Sequence, residues 1–197
     1  RRLPKFVIKM CGIAGFIGSG DLNILNAMCD QLIHLGPDDA GYYYDSTSDV
    51  FLGIRRLSII DLEFGSQPIS NEDDTVYVVC NGEIYNSPQL RKELESKGHS
   101  FKTRNSDVEV LVHLYEEIGV DCVHELNGMY AFVIYDKKKK LVFGVRDRVG
   151  IKPLFYSCSG NQLSFASEIK SLKTLPWIND DIDNVSVYHY ISLQFIP

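Results

Sequence analysis

The chain has 197 residues, a net charge of −6 at pH 7, and 45% apolar and 23% charged residues. This composition is typical of a globular protein in water, and the length suffices for one large domain or two small ones. Nucleic-acid binding is not indicated, because the one compact basic run, residues 137–140, lies between two apolar segments and predicts a solvated hairpin turn. A membrane span is not indicated either, because no apolar run approaches roughly 18 residues.

The first half of the chain predicts five strands and a helix. The strands are short apolar segments, several of them rich in β-branched residues, at 11–18, 42–44, 50–54, 58–60 and 75–80. Apolar residues three or four positions apart predict a helix over residues 21–35, with Asp21 as its N-cap and Gly36 as its stop. The last strand runs into Asn81-Gly82, a dipeptide that by itself predicts a hairpin turn.

The second half predicts two helices followed by two hairpins. One helix spans residues 87–97, with Ser87 as its N-cap. The other begins at Ser106, which forms a capping-box pattern with Glu109. The hairpins pair residues 130–135 with 141–145 and residues 154–156 with 163–166. Hairpin strands with helices gathered between them predict an α+β fold of mainly antiparallel sheets covered by helices.

Five cysteines, at positions 11, 29, 80, 122 and 158, restrict the chemistry further. They form no CxxC pair and no Cys/His cluster, so we expect no metal site. Their odd number and wide spacing do not resemble a secreted disulfide framework. Reduced thiols and a cytoplasmic location are therefore expected.

Cys11 is the first candidate for chemistry, although a cysteine in an apolar strand is more often buried and inert. A nucleophilic thiol needs a base, and the five histidines, at 34, 99, 113, 124 and 189, lie in helical or loop patterns typical of structural or solvated residues. If Cys11 becomes the first residue after loss of Met10, its own α-amino group, with a pKa of roughly 7.7–8.0, can act as the base.

Several blocks of the sequence together resemble the class-II glutamine amidotransferases. These blocks are residues 10–16, 56–61, 67–68, 81–86 and 106–109. Later blocks resemble the asparagine synthetases within that class, at residues 128–132, 146–155, 166–170 and 190–197. The resemblance therefore extends from Met10 to Pro197.

The resemblance implies a four-layer αββα sandwich of the N-terminal-nucleophile hydrolase type, with two mainly antiparallel sheets. It divides the chain into an extension, tag or propeptide at residues 1–10, a type-2 glutamine amidotransferase domain at 11–180, and the start of a linker at 181–197. The linker would lead to a C-terminal synthetase domain.

The implied activity is hydrolysis of L-glutamine to glutamate and ammonia, which a ligase reaction would use to convert aspartate to asparagine. No cofactor is implied in this domain, whereas ATP and Mg²⁺ are expected in the synthetase domain. The implied partners are L-glutamine and that domain; a homodimer is left open, and neither nucleic acid nor a membrane is expected.

The resemblance also assigns roles to individual residues. Cys11 would form a thioester with the glutamine side chain, and Asn81 and Gly82 would form the oxyanion hole. Arg56 would bind the α-carboxylate and Asp107 the α-ammonium. Further substrate-binding residues would line the pocket, namely Leu57, Ser58, Ile59, Ile60 and Glu83. Taken singly, Arg56 could instead be a surface cation and Asp107 could serve only the first turn of a helix.

Three departures from the family pattern keep other functions open. Leu35 stands where the family usually has arginine, Ile54 stands where many members have histidine, and residues 1–10 acylate the amine of Cys11. The chain with these ten residues attached is therefore expected to have little glutaminase activity. The alternatives are an amidotransferase domain of another synthetase, such as glucosamine-6-phosphate synthase, and a degenerate ligand-binding or structural domain.

Overall fold

The computed structural model describes residues 10–57, 65–179 and 181–197. The predicted strand at residues 58–60 lies outside these ranges, as do residues 1–9 of the predicted extension. The described residues contain nine strands: β1 Gly12–Ile17, β2 Asp39–Asp45, β3 Val50–Arg56, β4 Ile69–Ser70, β5 Val76–Ile84, β6 Gly128–Asp136, β7 Leu141–Arg146, β8 Phe155–Ser159 and β9 Gln162–Ala166. Their helices are α1 Leu22–Asp30, α2 Ser87–Ser96, α3 Val110–Ile118, α4 Ile169–Leu172 and α5 Asn184–Leu193, with a 3₁₀ helix at Gly119–His124.

The strands form two antiparallel sheets. The first has the order β2-β3-β1-β9-β8 and the second the order β4-β5-β6-β7. In the first sheet Gly12 lies opposite Arg55, so the start of β1 lies beside the end of β3. This register brings Cys11, just before β1, close to Arg56 and Leu57.

Three apolar cores separate the layers. Between the sheets, Leu52 of β3 and Phe165 of β9 pack with Val133 of β6. Helices α2 and α3 cover the outer face of the second sheet, and α1 and α4 cover the outer face of the first. Because β5 and β6 are buried on both faces, their sequences are nearly continuous apolar runs rather than alternating ones. The expected αββα sandwich with two antiparallel sheets is confirmed, as are both hairpins.

Helix α1 begins as predicted but ends early. The Asp21 carboxylate accepts a hydrogen bond from Ile24 N, 3.0 Å away, as an N-cap does. The helix ends at Asp30 rather than residue 35, and the chain continues through tighter turns in which Leu35 N bonds Leu32 O. Leu32 and Leu35 are both buried against the first sheet, which explains why the apolar spacing continues beyond the helix.

Helix α2 begins at Ser87 as predicted, but its predicted N-cap was wrong, and so was the predicted start of α3. Asn86, not Ser87, is the residue before α2, and its side chain bonds Glu125 O and Asn127 N instead of capping the helix. Helix α3 begins at Val110, four residues after Ser106, without the predicted capping box. The Glu109 carboxylate accepts hydrogen bonds from the backbone N–H groups of residues 102 and 103, so it is not available to cap Ser106.

Asn81-Gly82 does not form a turn, contrary to its local pattern. Strand β5 continues through both residues to Ile84, and Gly82 pairs with Tyr130 of β6. A Cβ on Gly82 would collide with the carbonyl oxygen of Met129 and lie 2.6 Å from Tyr130 Cα. Glycine is therefore required here by the close approach of two strands, and not by a change of chain direction.

The apolar pattern near the end of the chain forms α5, which Asp183 caps by accepting a hydrogen bond from Val185 N. Within the described ranges, no helix is both long and apolar enough to cross a membrane.

Candidate active site

The facing ends of the two sheets enclose a cavity of about 190 Å³. It is lined by Met10, Cys11, Arg56, Leu57, Gly65, Gln67, Cys80, Asn81, Gly82, Glu83, Ser106, Asp107, Val108, Met129 and Lys152. The lining thus contains every candidate site residue predicted from the sequence that the structure describes. Ser58, Ile59 and Ile60 lie outside the described residues.

Cys11 is half-buried and contacts the end of β3. Its Sγ accepts a hydrogen bond from Leu57 N at 3.4 Å and lies 3.7 Å from Leu57 O, to which the thiol can donate. Burial raises the pKa of the Cys11 thiol, although the Leu57 N–H and the positive charges of Arg56 and Lys152 oppose this effect. The thiol is therefore protonated at neutral pH, and a nucleophilic attack requires a base. Among the described lining residues there is no histidine to supply one.

Asn81 is 1% exposed, and neither its side-chain nitrogen nor its oxygen has a hydrogen-bond partner among the described residues. Leaving a buried polar group unbonded costs about 1–3 kcal/mol, and such groups are rare in folded proteins. Gly82 follows Asn81 along the same cavity wall. The two residues can offer a side-chain amide and a backbone N–H to an oxygen atom inside the cavity.

Arg56 and Asp107 place opposite charges on the cavity wall. Arg56 is only 5% exposed, so it is not a surface cation. Asp107 lies three residues before the start of α3. Its carboxylate accepts a hydrogen bond from Ile84 N of β5 at 2.8 Å. Burial raises the pKa of Asp107, and the negative charge of Glu83 raises it further. A bound cation would offset this effect, so the cavity suits a zwitterionic ligand with one charge near each residue.

Gln67 supports the cavity in a way that the sequence did not indicate. Its amide nitrogen donates to Cys80 O at 3.2 Å, and its amide oxygen accepts from Cys80 N at 2.7 Å. Both bonds go to the residue before Asn81 and hold the loop at Gln67 against β5. The only sequence signal was its position in the block at 67–68, to which no role was assigned.

Lys152 is a second residue that sequence reasoning missed. The Asp147 carboxylate accepts hydrogen bonds from the backbone N–H groups of residues 149, 151 and 152 and so folds this loop. The Lys152 ammonium reaches the cavity, where its Nζ lies 3.6 Å from Met10 Sδ. The conspicuous block at residues 146–155 was the available signal, but only the tertiary structure brings Lys152 near Cys11.

The two substituted positions, Leu35 and Ile54, both lie in apolar cores. Leu35 packs against Gly12, where an added Cβ would lie 3.1 Å from Leu35 Cδ1. Ile54 is fully buried between the sheets. Neither residue lines the cavity. In this chain both positions contribute to packing next to the site.

The sandwich thus places Cys11, just before the central strand of the first sheet, and the unbonded amide of Asn81 on the wall of one cavity. The model of the glutamine amidotransferase domain family matches residues 10–197, and the chain belongs to this family.

The chain is also similar to named proteins. It is 43% identical over 196 residues to asparagine synthetase [glutamine-hydrolyzing] 1 of Bacillus subtilis, an alignment that covers 95% of this chain and 30% of that protein. It is 49% identical over 174 residues to asparagine synthetase 2 of the same organism, covering 85% of this chain and 23% of that protein. The chain thus spans less than a third of the length of these relatives.

Among solved structures, glutamine phosphoribosylpyrophosphate amidotransferase from B. subtilis has a TM-score of 0.68 and 24% identity, over 83% of this chain and 43% of that one. A second structure, described as the allosteric regulatory enzyme of purine biosynthesis, has a TM-score of 0.72 and 23% identity with the same coverage. At this identity, these two likenesses show the fold alone.

Proposed function

We propose that this chain hydrolyses the side-chain amide of free L-glutamine to glutamate and ammonia. The observation that carries the proposal is the cavity in which Cys11 and the unbonded, buried amide of Asn81 both form part of the wall. Family membership supports the same reaction.

In the proposed reaction, Cys11 Sγ attacks the amide carbon while the free α-amino group of Cys11 takes the thiol proton. The oxyanion that forms is stabilised by the Asn81 side-chain NH₂ and the Gly82 N–H. The protonated amine then gives its proton to the leaving nitrogen, ammonia departs, and a thioester remains. Water, deprotonated by the same amine, hydrolyses the thioester to glutamate and restores the thiol.

The charges in the cavity would select the substrate. Arg56 would bind the α-carboxylate and Asp107 the α-ammonium, while Leu57 and Glu83 would line the rest of the pocket. Both charged groups are absent from an internal glutamine of a peptide, so a free amino acid is preferred.

The ammonia would serve an ATP-dependent conversion of aspartate to asparagine at a site outside this chain. The names of the similar proteins support this use, and those proteins are much longer than this chain. In this proposal residues 11–180 form the amidotransferase domain, residues 181–197 begin the connection to the synthetase domain, and that domain uses ATP and Mg²⁺. A sugar-isomerase domain following residue 197 in the full-length protein would instead favour glucosamine-6-phosphate synthesis.

The proposed base exists only when the bond between Met10 and Cys11 is broken. In the chain as it stands, the Cys11 nitrogen is an amide and Met10 occupies part of the cavity wall. Protein that begins at Cys11 should release ammonia and glutamate from glutamine in equal amounts. Protein that retains Arg1 should be slower by about 10²-fold or more, because a general base typically contributes 10²- to 10⁴-fold.

The measurement is a glutaminase assay on both forms, with the N-terminus of each established by intact-mass spectrometry. Cys11→Ala in the shortened form is the control for background hydrolysis. Full turnover by protein that retains Arg1 would contradict the proposed base. No ammonia from folded protein that begins at Cys11 would favour the degenerate domain.

A further inference from the structure

Two histidines and two glutamates form a compact cluster away from the cavity, on the helical side of the second sheet. Glu72 lies in the turn between β4 and β5, and His99 lies between α2 and α3. His113 and Glu116 are three residues apart on α3 and therefore share a face of that helix. None of the four lines the candidate active site.

The four side chains bring their possible ligand atoms close together. One ligand atom from each lies within 4.8 Å of the ligand atoms of the others. His99 Nδ1 is 3.2 Å from Glu72 Oε1 and 3.8 Å from Glu116 Oε2. His113 Nδ1 is 3.3 Å from Glu72 Oε2 and 3.5 Å from Glu116 Oε2.

His113 is the unusual member of this cluster. It is 0% exposed, yet neither ring nitrogen makes a hydrogen bond of acceptable geometry within the described part of the chain. A buried imidazole without hydrogen bonds is unfavourable, although carboxylate oxygens lie close to both of its nitrogens. Its Nδ1 lies beside the carboxylates of Glu72 and Glu116. A cation bound between these side chains could take this nitrogen as a ligand.

The His–Glu distances can be compared with those between neighbouring ligands of a metal ion. Zinc binds histidine nitrogen and carboxylate oxygen at about 2.0–2.2 Å, which places neighbouring ligands of a tetrahedral site about 3.3–3.6 Å apart. His113 Nδ1 lies within that range of Glu72 Oε2 and Glu116 Oε2, at 3.3 and 3.5 Å, and His99 Nδ1 is 3.8 Å from the same Glu116 oxygen. Two ionised carboxylates and two neutral imidazoles would also balance the charge of a divalent cation.

Further polar groups lie behind these side chains, as is usual around bound metal ions. Behind His99, Nε2 lies 3.2 Å from Glu117 Oε1, and behind His113, Nε2 lies 3.7 Å from the buried Glu109 Oε1. Asn71 Nδ2 donates to the second oxygen of Glu116 at 2.7 Å. Each histidine therefore has a carboxylate on the side opposite to the cluster.

We propose that Glu72, His99, His113 and Glu116 bind one Zn²⁺ ion. This departs from the expectation of no metal site, which considered cysteine motifs and not residues brought together by the fold. Four protein ligands leave no open position for substrate, so the ion has a structural role and links the β4–β5 turn and the α2–α3 connection to α3. The partly exposed side chains of Glu72 and Glu116 provide a route for the ion from solvent.

The test is Zn²⁺ binding by EDTA-treated protein, followed by calorimetry and thermal unfolding. Cys11→Ser and Cys158→Ser are included in every sample, because these two thiols are not fully buried and could bind zinc. We expect one ion per chain, and a rise in Tm of about 5–10 °C when free Zn²⁺ is about 100 times Kd. Co²⁺ in place of zinc should give the strong visible absorption of a tetrahedral site.

Variants distinguish this site from adventitious binding. His99→Gln and Glu72→Gln should each weaken binding by more than about 100-fold, and Glu117→Gln, behind His99, by about 10- to 100-fold. His34→Gln is the matched control, because His34 is exposed and pairs with a single carboxylate, that of Glu168, at 3.0 Å. The His34→Gln variant should bind Zn²⁺ with the same affinity as the parent protein.

The proposal is overturned if the parent protein binds no zinc at millimolar concentration, or if Co²⁺ gives an octahedral spectrum. Equal affinity in the parent, His99→Gln and Glu72→Gln would also overturn it. Circular dichroism of each metal-free variant establishes that it is folded, and the two ligand variants lie in different loops, so a folding failure in one leaves the other informative. The readouts are independent of glutamine hydrolysis.

Discussion

Two buried asparagines differ in whether their side chains are hydrogen-bonded. Asn71 Nδ2 donates to Asp73, Thr75 and Glu116, and its Oδ1 accepts from the backbone N–H groups of residues 75 and 76. Asn81 makes no side-chain hydrogen bond to the described residues and lines the cavity. The first side chain stabilises a turn, whereas the second keeps its hydrogen-bonding groups for a ligand.

The two asparagines should therefore respond differently to truncation. Asn81→Ala should lower kcat for glutamine hydrolysis by about 10²- to 10³-fold, as loss of an oxyanion donor does, without lowering stability. Asn71→Ala should lower the free energy of unfolding by about 1–3 kcal/mol or more, with kcat of the folded fraction retained. The measurements are urea unfolding and glutaminase kinetics on protein that begins at Cys11. Equal destabilisation by both changes, with Asn81→Ala still active, would contradict this assignment.

At the scale of elements, two glycines in the strands on either side of β6 have different surroundings. A Cβ on Gly82 of β5 would collide with the backbone of β6 at residues 129 and 130. A Cβ on Gly144 of β7 would make only ordinary contacts with Val133 and Leu154, at 3.8 and 3.9 Å. Only the first glycine is needed for strands to approach each other.

Gly82→Ala should force β5 away from β6, with a loss of about 1–3 kcal/mol or more in the free energy of unfolding and a loss of activity through displacement of Asn81. Gly144→Ala should be neutral or stabilising by up to about 1 kcal/mol, because alanine restricts the unfolded chain more than glycine does. Thermal unfolding and glutaminase rates of the two variants test this. Similar stabilities for Gly82→Ala and the parent would show that the strands can separate without cost.

At the scale of the whole molecule, a buried hydrogen bond connects a strand of the first sheet with a strand of the second. Tyr135 of β6 donates its hydroxyl to Asp45 Oδ2 of β2 at 2.6 Å. Although burial raises the pKa of Asp45, the hydrogen bonds from Tyr135 and Thr47 outweigh that effect and hold its pKa below the usual value. The ionised carboxylate is therefore favoured in the folded state.

Tyr135→Phe should lower the free energy of unfolding by about 1.5–3 kcal/mol at neutral pH, as loss of a hydrogen bond to a charged group does. A lowered pKa contributes stability above the unfolded value of about 3.9, and that stability is lost as the pH falls through the folded pKa. Without Tyr135 the pKa of Asp45 rises, so this loss begins at a higher pH. The difference between parent and variant should shrink as Asp45 becomes protonated.

Urea unfolding at several pH values between about 2 and 7, a range that includes the protonation of Asp45, measures this effect. Tyr156→Phe is the matched control, because Tyr156 is 74% exposed and lies at the edge of the first sheet, and it should show no pH-dependent difference. A constant difference for Tyr135→Phe over the whole range would exclude Asp45 as the titrating group.

Much of the fold and candidate site could be predicted from the sequence where the signal is local. The Asp21 cap involves residues three positions apart, and each hairpin joins neighbouring segments, so their patterns were sufficient. The blocks at Cys11, Arg56, Asn81 and Asp107 were recognisable as motifs without knowledge of their positions in space. The α+β class followed from the order of the elements.

Only the tertiary structure decided features that depend on partners distant in the chain. Asn81-Gly82 continues a strand because β6, almost fifty residues later, supplies hydrogen bonds that outweigh a local preference for a turn. Glu109 does not cap α3 because loop N–H groups bind its carboxylate. The packed layers also bring together side chains that sequence spacing cannot relate. They form the cluster of residues 72, 99, 113 and 116, and they place Lys152 on the wall of the same cavity as Cys11.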